Sequence, residues 1–111
     1  MDVRTDRQDD ILSVLVNGHI NGSNAAAFEE AIRAAIEDSD RAVIIDMEKL
    51  SYIDSMGLRV FFRGARHLSS RDAKLVVAMS HQNLDVFEII GFDKIMAIHP
   101  SRAEALASLD T

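Results

Sequence analysis

Two short apolar runs place the strongest limit on how this chain folds. They cover residues 42–47 (AVIIDM) and 75–79 (LVVAM), and neither alternates regularly between apolar and polar positions. A strand with one face in water alternates, so a nearly continuous apolar run is typical of a strand that is buried on both faces. Such strands occur mainly in parallel sheets covered by helices. We therefore predict an α/β fold with these two runs at the centre of its sheet.

Shorter apolar segments supply candidates for the remaining strands. Residues 11–16 (ILSVLV) predict a strand that ends in a turn at residues 17–18 (NG), and residues 95–98 predict a shorter one. Residues 3–5 are a candidate N-terminal edge strand, followed by a turn at residues 8–10 (QDD). The predicted sheet is mixed but mostly parallel, has four to five strands, and carries this edge strand at its N-terminal side.

Between the strands, apolar residues recur at the spacing of a helix. Three amphipathic stretches follow this period, and Ser101 and Glu104 have the spacing of a capping box that opens a fourth helix. The four apolar faces contain Phe28, Ile32, Ala35 and Ile36; Leu58, Phe61, Phe62, Ala65 and Leu68; Val86, Phe87 and Ile90; and Leu106 and Leu109. Because the chain has no repeat and no linker, we predict one domain over residues 1–111 with about four helices.

Composition removes several classes of function. The 111 residues include no cysteine, which excludes a disulfide framework, a thiolate metal site and a cysteine nucleophile. Eighteen acidic residues against twelve Lys and Arg give a formal charge of −6, whereas a nucleic-acid binder needs a basic surface. No apolar run approaches the roughly 18 residues of a membrane span, and the N-terminus has no signal-peptide character. We expect a cytoplasmic protein that neither binds nucleic acid nor inserts into membranes.

The sequence also lacks a recognisable catalytic or metal-binding pattern. The four histidines stand in separate segments without metal-ligand spacing, and there is no glycine-rich phosphate loop and no nucleophile elbow. We therefore predict no catalytic residue, no metal site and no cofactor. Arg59, Arg63 and Arg66 form a basic stripe on one predicted helix. Solvation of that helix face is the simpler explanation of the stripe, and anion binding is the alternative.

The junction between the first central strand and the helix of Phe61 is the most informative segment. Residues 50–58 are LSYIDSMGL, and Ser55 stands where we expect the N-cap of the helix. Gly57 then falls in the first turn, where glycine costs about 1 kcal/mol relative to alanine. A cap alone does not require that glycine, so we predict that a backbone or a partner approaches it closely.

This junction resembles the signature of STAS domains of the anti-sigma-factor antagonist type. In that family a strand ending in Asp leads, after a short loop, to Asp-Ser-(Ser/Thr)-Gly-Leu at a helix start, and residues 46–58 (DMEKLSYIDSMGL) follow this order. Residues 18–21 (GHIN) stand where the family has Gly-x-(Ile/Leu)-Asp. Residues 87–95 (FEIIGFDKI) are similar to its Leu-x-x-x-Gly-Leu-x-x-(Leu/Phe) stretch. The resemblance covers nearly the whole chain, and Asp-Ser-x-Gly is its most specific element.

The resemblance implies a partner-switching function and a STAS fold. An unphosphorylated antagonist of this family binds a GHKL-type serine-kinase anti-sigma factor and so releases the sigma factor. The kinase phosphorylates the serine that matches Ser55, the complex dissociates, and a PP2C-type phosphatase restores it. The chain would then be a substrate and a binding module, and ATP would belong to its partner. The residues expected to contact that partner are Asn21, Gly22, Ser23, Asp54, Ser55, Met56, Gly57 and Arg59.

Physical chemistry at Ser55 agrees with such a switch. A phosphate adds a charge of about −1.5 to −2 beside Asp54 on an already acidic protein. We expect the phosphate to meet free N–H groups at the helix N-terminus, so that the fold tolerates it. A partner surface that fits a neutral hydroxyl would have to desolvate the new charge, at a cost of about 2–5 kcal/mol. The switch therefore needs no conformational change.

Two positions depart from the pattern of the family. Asn21 replaces the usual Asp, and this substitution has two possible explanations. In the first, phosphorylation by the kinase is slower or the partner is atypical. In the second, the asparagine simply suits a turn that precedes a helix cap. Met56 replaces the second hydroxyl residue and leaves Ser55 as the one acceptor in the motif. The flexible Met56 side chain would either contact the partner, which we favour, or pack inward.

A second function stays open on the sequence. The chain could be a STAS regulatory subunit of a membrane transporter, such as a lipid-trafficking ABC system, and Ser55 would then need no phosphate. Neither interpretation determines which sigma factor or other output is controlled, nor the oligomeric state.

Overall fold

A five-stranded mixed sheet forms the centre of the fold. The computed structural model describes residues 1–80 and 97–109 of the chain. The strands are β1 (Asp2–Gln8), β2 (Ile11–Ile20), β3 (Ala42–Ile53), β4 (Lys74–Ala78) and β5 (Ala97–His99); the helices are α1 (Ala25–Ala35), α2 (Ser55–Ser69) and α3 (Arg102–Leu109). The strands lie side by side in sequence order. β1 pairs antiparallel with β2 and all other pairs are parallel, which confirms the predicted α/β class and mostly parallel sheet.

The two apolar runs occupy the interior of the sheet as predicted. Residues 42–47 of β3 are all buried, and so are residues 75–78 of β4. Alternate side chains of β3 pack on opposite faces of the sheet, one set in the cluster with α1 and α2 and the other with α3. The first set is Val43, Ile45 and Met47, and the second is Ala42 and Ile44. Because both faces are covered, apolar residues are favoured at consecutive positions.

The N-terminal edge strand and its turn are also confirmed. β1 pairs with β2 in a register that places Gln8 opposite Ile11, so Asp9 and Asp10 form a two-residue turn. Asp9 has a φ of 55°, in the left-handed region, which Asp tolerates better than most residues. The observed turn lies within residues 8–10, where the sequence predicts one.

The predicted end of β2 at residues 17–18 is wrong. The strand continues to Ile20, and its register with β3 is irregular on both sides of residues 17–18. Gly18 has a φ of 105°, a backbone conformation that glycine adopts without steric cost. The asparagine and glycine therefore mark an irregularity within a paired strand, because β3 supplies hydrogen-bonding partners beyond them.

β2 and β3 extend past the rest of the sheet, and the short loop expected between Asp46 and Asp54 is wrong because β3 continues to Ile53. The last β4 residue that pairs with β3 is Ala78, opposite Asp46, whereas β2 and β3 stay paired as far as Ile20 and Ile53. The carboxyl ends of these two strands therefore lie next to each other. Since α1 and α2 start just after them, residues 21–24 and 54–58 meet at one corner of the molecule.

Three predicted helices are found within the described residues. Phe28 of α1 and Phe61 of α2 meet edge to face, with ring centroids 5.6 Å apart, on one side of the sheet. One of the two hydrogen bonds of the predicted capping box is present at the start of α3: the hydroxyl of Ser101 accepts from the N–H of Glu104 at 3.2 Å. Two predictions lie outside the described residues: the remaining helix, with Val86, Phe87 and Ile90, and the family-like segment 87–95. The strand predicted at 95–98 is observed as Ala97–His99.

Candidate functional site

Asp54, not Ser55, is the N-cap of α2. Its backbone is extended (φ −106°, ψ −174°), and its Oδ1 accepts from the N–H groups of Met56 at 3.0 Å and Gly57 at 3.1 Å. Ser55 is the first residue of the helix. The prediction of Ser55 as N-cap is therefore wrong by one residue, because Asp and Ser are similarly good caps and local chemistry does not choose between neighbours.

This cap changes what a phosphate on Ser55 would meet. The N–H groups of Met56 and Gly57, which an anion at a helix start would use, already donate to Asp54. The N–H of Leu58 donates to the carbonyl oxygen of Asp54 at 3.0 Å. The expectation of free N–H donors is therefore wrong at these three positions. A charge on Ser55 would instead lie beside the carboxylate that holds two of them.

The same aspartate connects α2 to the turn between β2 and α1. Its Oδ2 accepts from the N–H of Gly22 at 3.1 Å, and its own N–H donates to the carbonyl oxygen of Ile20 at 3.1 Å. A β-carbon on Gly22 would lie 3.8 Å from Cγ of Met56, which is ordinary contact distance. The turn and the helix start, predicted separately as partner-contacting segments, are thus adjacent.

Side-chain hydrogen bonds hold the turn itself. The Oδ1 of Asn21 accepts from the N–H of Ser23 at 2.9 Å and from its hydroxyl at 2.5 Å. The Oδ1 of Asn24 accepts from the N–H of Asn21 at 2.9 Å, and its Nδ2 donates to the carbonyl oxygen of His19 at 2.9 Å. Asn21 therefore acts in the turn, as one of its two explanations requires. Its effect on a kinase stays a prediction.

Gly57 is buried between two isoleucines of the protein itself. A β-carbon there would lie 2.7 Å from Cγ1 of Ile53 and 2.8 Å from Cγ2 of Ile20, both too close for carbon atoms. The predicted close approach is found, but it comes from the side chains of the last residues of β2 and β3 and not from a backbone or a partner. Packing alone therefore explains why residue 57 is a glycine.

Around this junction several side chains are exposed. Ser55 is exposed and its hydroxyl makes no hydrogen bond among the residues that the structure describes. Met56 is 44% exposed, which is contrary to inward packing, and Tyr52 at the end of β3 is 58% exposed. The sequence interpretation missed Tyr52. The signal that could have identified it is an aromatic residue two positions before Asp54, where the fully buried run of β3 has already ended.

Arg59 lies one helical turn after Ser55 on the same face of α2. Its side chain is exposed and has no ion pair within the described part of the chain. Arg63, one turn further, lies 3.4 Å from a carboxylate oxygen of Glu29 on α1. Within the described residues the predicted basic stripe therefore contains Arg63, which connects two helices, and Arg59 and Arg66, which are exposed and form no ion pair.

The described residues contain neither a metal-binding cluster nor a membrane-spanning helix. Between residues 1 and 80 and between 97 and 109, no group of three or more His, Asp or Glu side chains is arranged to hold a metal ion. Within the same ranges, no helix is long and apolar enough to cross a membrane.

Comparison with known proteins identifies the family of the chain. The family model of the STAS domain matches residues 2–105. BtrV of Bordetella bronchiseptica, provisionally named an anti-sigma factor antagonist, is 33% identical over 112 residues, which cover all of this chain and 97% of that protein.

Solved structures share the fold. A crystal structure of an anti-sigma factor antagonist from Mycobacterium paratuberculosis has a TM-score of 0.89 at 24% identity and covers 99% of this chain and 94% of its own. The Bacillus cell fate determinant SpoIIAA in its phosphorylated form has a TM-score of 0.72 at 18% identity, with coverage of 97% and 99%. At these identities the structures show the fold, and the family model and the 33% identical relative show the family. The chain belongs to the STAS domain family.

Proposed function

We propose that this protein is an anti-sigma factor antagonist that works by partner switching in the cytoplasm. Unphosphorylated, it binds a GHKL-type serine-kinase anti-sigma factor. Phosphorylation of Ser55 by that kinase ends the complex, and a PP2C-type phosphatase restores it. The observation that carries the proposal is the exposed Ser55 hydroxyl on the first residue of α2, within the Asp-Ser-x-Gly-Leu motif. The name of BtrV and the existence of a phosphorylated form of SpoIIAA support it.

Two adjacent segments form the proposed partner-binding surface, which we call the switch surface. It consists of Asn21, Gly22, Ser23, Asp54, Ser55, Met56, Gly57 and Arg59. Because Asp54 bonds to both Gly22 and the start of α2, a partner that contacts Ser55 would also contact the turn. Buried Gly57 would act through packing, and exposed Tyr52 extends the surface along β3.

Electrostatics explains why a phosphate would end the complex. The phosphate brings a charge of about −1.5 to −2 to a position beside the Asp54 carboxylate. A partner surface that fits the hydroxyl offers no positive charge of its own and would have to desolvate the phosphate, at a cost of about 2–5 kcal/mol. That corresponds to a loss of affinity of roughly 30-fold to several thousand-fold. In this mechanism the protein is a substrate and a binding module, with no catalytic residue and no cofactor of its own.

The test is recovery of the partner from the source cell with four forms of the protein as bait. We expect wild type and Ser55→Ala to recover a GHKL-type kinase, and Ser55→Asp to recover at least about tenfold less. Ser69→Asp is the matched control, since Ser69 is exposed and ends the same helix about 20 Å away. It places the same charge outside the switch surface and should bind like wild type.

Three outcomes would contradict the proposal. Equal recovery of the kinase by Ser55→Ala and Ser55→Asp would exclude a charge switch at this serine. Recovery of an ATPase–permease complex instead of a kinase would favour a transporter subunit. Mass spectrometry after incubation with the recovered kinase and ATP should place the phosphate on Ser55, and a phosphate found elsewhere would mean that another residue is the switch.

A further inference from the structure

The start of α2 offers little to a phosphate on Ser55. Asp54 already accepts from the N–H groups of Met56 and Gly57, and a carboxylate beside the phosphate repels it. Displacing Asp54 would also remove the acceptor of the Gly22 N–H, which connects the turn to the helix. A favourable charge contact for the phosphate would therefore come from a cation elsewhere on the surface, in addition to its hydration.

Arg59 is the cation in the right place. Residues four apart on a helix are neighbours, and the pair is more favourable when the acidic group is N-terminal to the basic one, as a phosphate on Ser55 would be to Arg59. The Arg59 side chain is exposed and unpaired within the described residues. Arg63 is one turn further away and is paired with Glu29 across the α1–α2 interface. A guanidinium can also bind two oxygens of a phosphate at once.

We propose that Arg59 is the counter-ion of phosphorylated Ser55. The inference rests on the proposed function in one respect, that Ser55 carries a phosphate. Phosphorylation then has two effects on the switch surface. It adds a negative charge at Ser55, and it engages the positive charge of Arg59 in an ion pair. A partner whose acidic group contacts Arg59 loses that contact in the same step.

The experiment measures the second pKa of the phosphate by ³¹P NMR titration, with phosphoserine incorporated at position 55 by genetic encoding. Asp54 raises this pKa and Arg59 lowers it, so the informative quantity is the difference between variants. We expect Arg59→Gln to raise the pKa by roughly 0.1 to 0.4 units, and Arg59→Lys to raise it less because the charge is kept. Arg66→Gln, also exposed on α2, is the control and should leave it unchanged.

Salt provides a second readout, since the difference between wild type and Arg59→Gln should shrink in about 1 M NaCl, where the Debye length is about 3 Å. An unchanged pKa in Arg59→Gln would overturn the proposal, and so would an equal shift in Arg66→Gln. Because the phosphoserine is encoded, the result does not depend on any kinase. If Ser55 proves unmodified in the cell, the proposed function fails while the Arg59 pair is still measured.

Discussion

At the scale of single residues, Asp54 organises the candidate site. Its carboxylate accepts from Met56, Gly57 and Gly22, and its N–H donates to Ile20. One side chain thus starts a helix and holds a turn that is 32 residues away in sequence. This is why Ser55 is placed on the first turn of α2, exposed and next to the turn at residues 21–23.

Gly57 leads to a test of packing at the same site. Gly57→Ala would push a methyl group against Ile53 and Ile20 at 2.7 and 2.8 Å. We expect a net loss of about 1–3 kcal/mol in the free energy of unfolding, because overcrowding outweighs the better helix propensity of alanine. Urea denaturation followed by circular dichroism measures it.

The matched control is Gly64→Ala in the same helix. A β-carbon at Gly64 would lie 3.8 Å from Cδ2 of Leu75, which is an ordinary contact. The helix propensity of alanine should therefore determine the change in the free energy of unfolding. We expect stability to be unchanged or to increase by up to about 1 kcal/mol. If both alanine variants gained stability, the explanation of Gly57 by close packing would be wrong.

At the scale of elements, arginines hold α3 to the sheet at both ends. The Nε of Arg102 donates to the hydroxyl of buried Ser13 at 3.1 Å, and its guanidinium pairs with Asp6 on β1. At the other end, Arg41 donates to the carbonyl oxygen of Leu109 at 3.0 Å. Since α3 has only eight residues and buries few apolar side chains, these polar contacts matter for its position.

Replacing Arg102 should therefore loosen α3 before the rest of the fold. We expect Arg102→Ala to reduce the free energy of unfolding by about 1–2 kcal/mol and to speed amide hydrogen exchange in residues 102–109. Hydrogen exchange followed by mass spectrometry measures this by segment. Arg66→Ala, which removes an exposed arginine from α2, serves as the control. Uniformly faster exchange across the sheet, without preference for α3, would argue against this local role.

At the scale of the whole molecule, a partly buried ion pair and a neighbouring arginine join three parts of the chain. Asp40, 2% exposed, accepts from Nε and Nη2 of Arg7 on β1 at 2.9 and 2.8 Å. Arg71, in the loop after α2, donates to the carbonyl oxygens of residues 37, 38 and 40. The edge strand and the two loops before β3 and β4 are thereby fixed at the end of the sheet opposite Ser55.

This pair predicts an acid-sensitive stability. Hydrogen bonds from Arg7 hold the pKa of Asp40 below its ordinary value and outweigh the raising effect of burial. The stabilisation is therefore present above the unfolded pKa of about 3.9 and is lost as the pH falls through the lower folded value. Wild type should exceed Asp40→Asn in free energy of unfolding at pH 7, and we expect this difference to be smaller at pH 3, below the unfolded pKa.

Urea denaturation at the two pH values measures this difference. Asp10→Asn is the matched control, because Asp10 forms an exposed pair with Arg41 at 2.9 Å, and loss of an exposed pair should lower the free energy of unfolding less than Asp40→Asn does at pH 7. An equal difference between wild type and Asp40→Asn at both pH values would mean that Asp40 is not the group that titrates.

The sequence by itself determined the α/β class, the two central strands, the hairpin at residues 8–10 and the motif that contains Ser55. Each depends on nearby residues, through apolar periodicity, turn chemistry or a short signature. The sequence also placed residues 17–18 in a turn and the N-cap at Ser55, and both were wrong. Local chemistry allows these alternatives equally, since asparagine and glycine suit turns and bulges, and Asp and Ser both cap helices.

Only the tertiary structure decided between them, because the deciding contacts join residues distant in sequence. β3 pairs with β2 beyond Gly18, so the chain continues as a strand. The N–H of Gly22 donates a hydrogen bond to Asp54, and two isoleucines from different strands pack against Gly57. The pairing of Arg63 with Glu29 is likewise a contact between two helices, and within residues 1–80 and 97–109 Arg59 has no such ion pair. Composition and spacing cannot report such contacts, because each depends on how separate elements pack.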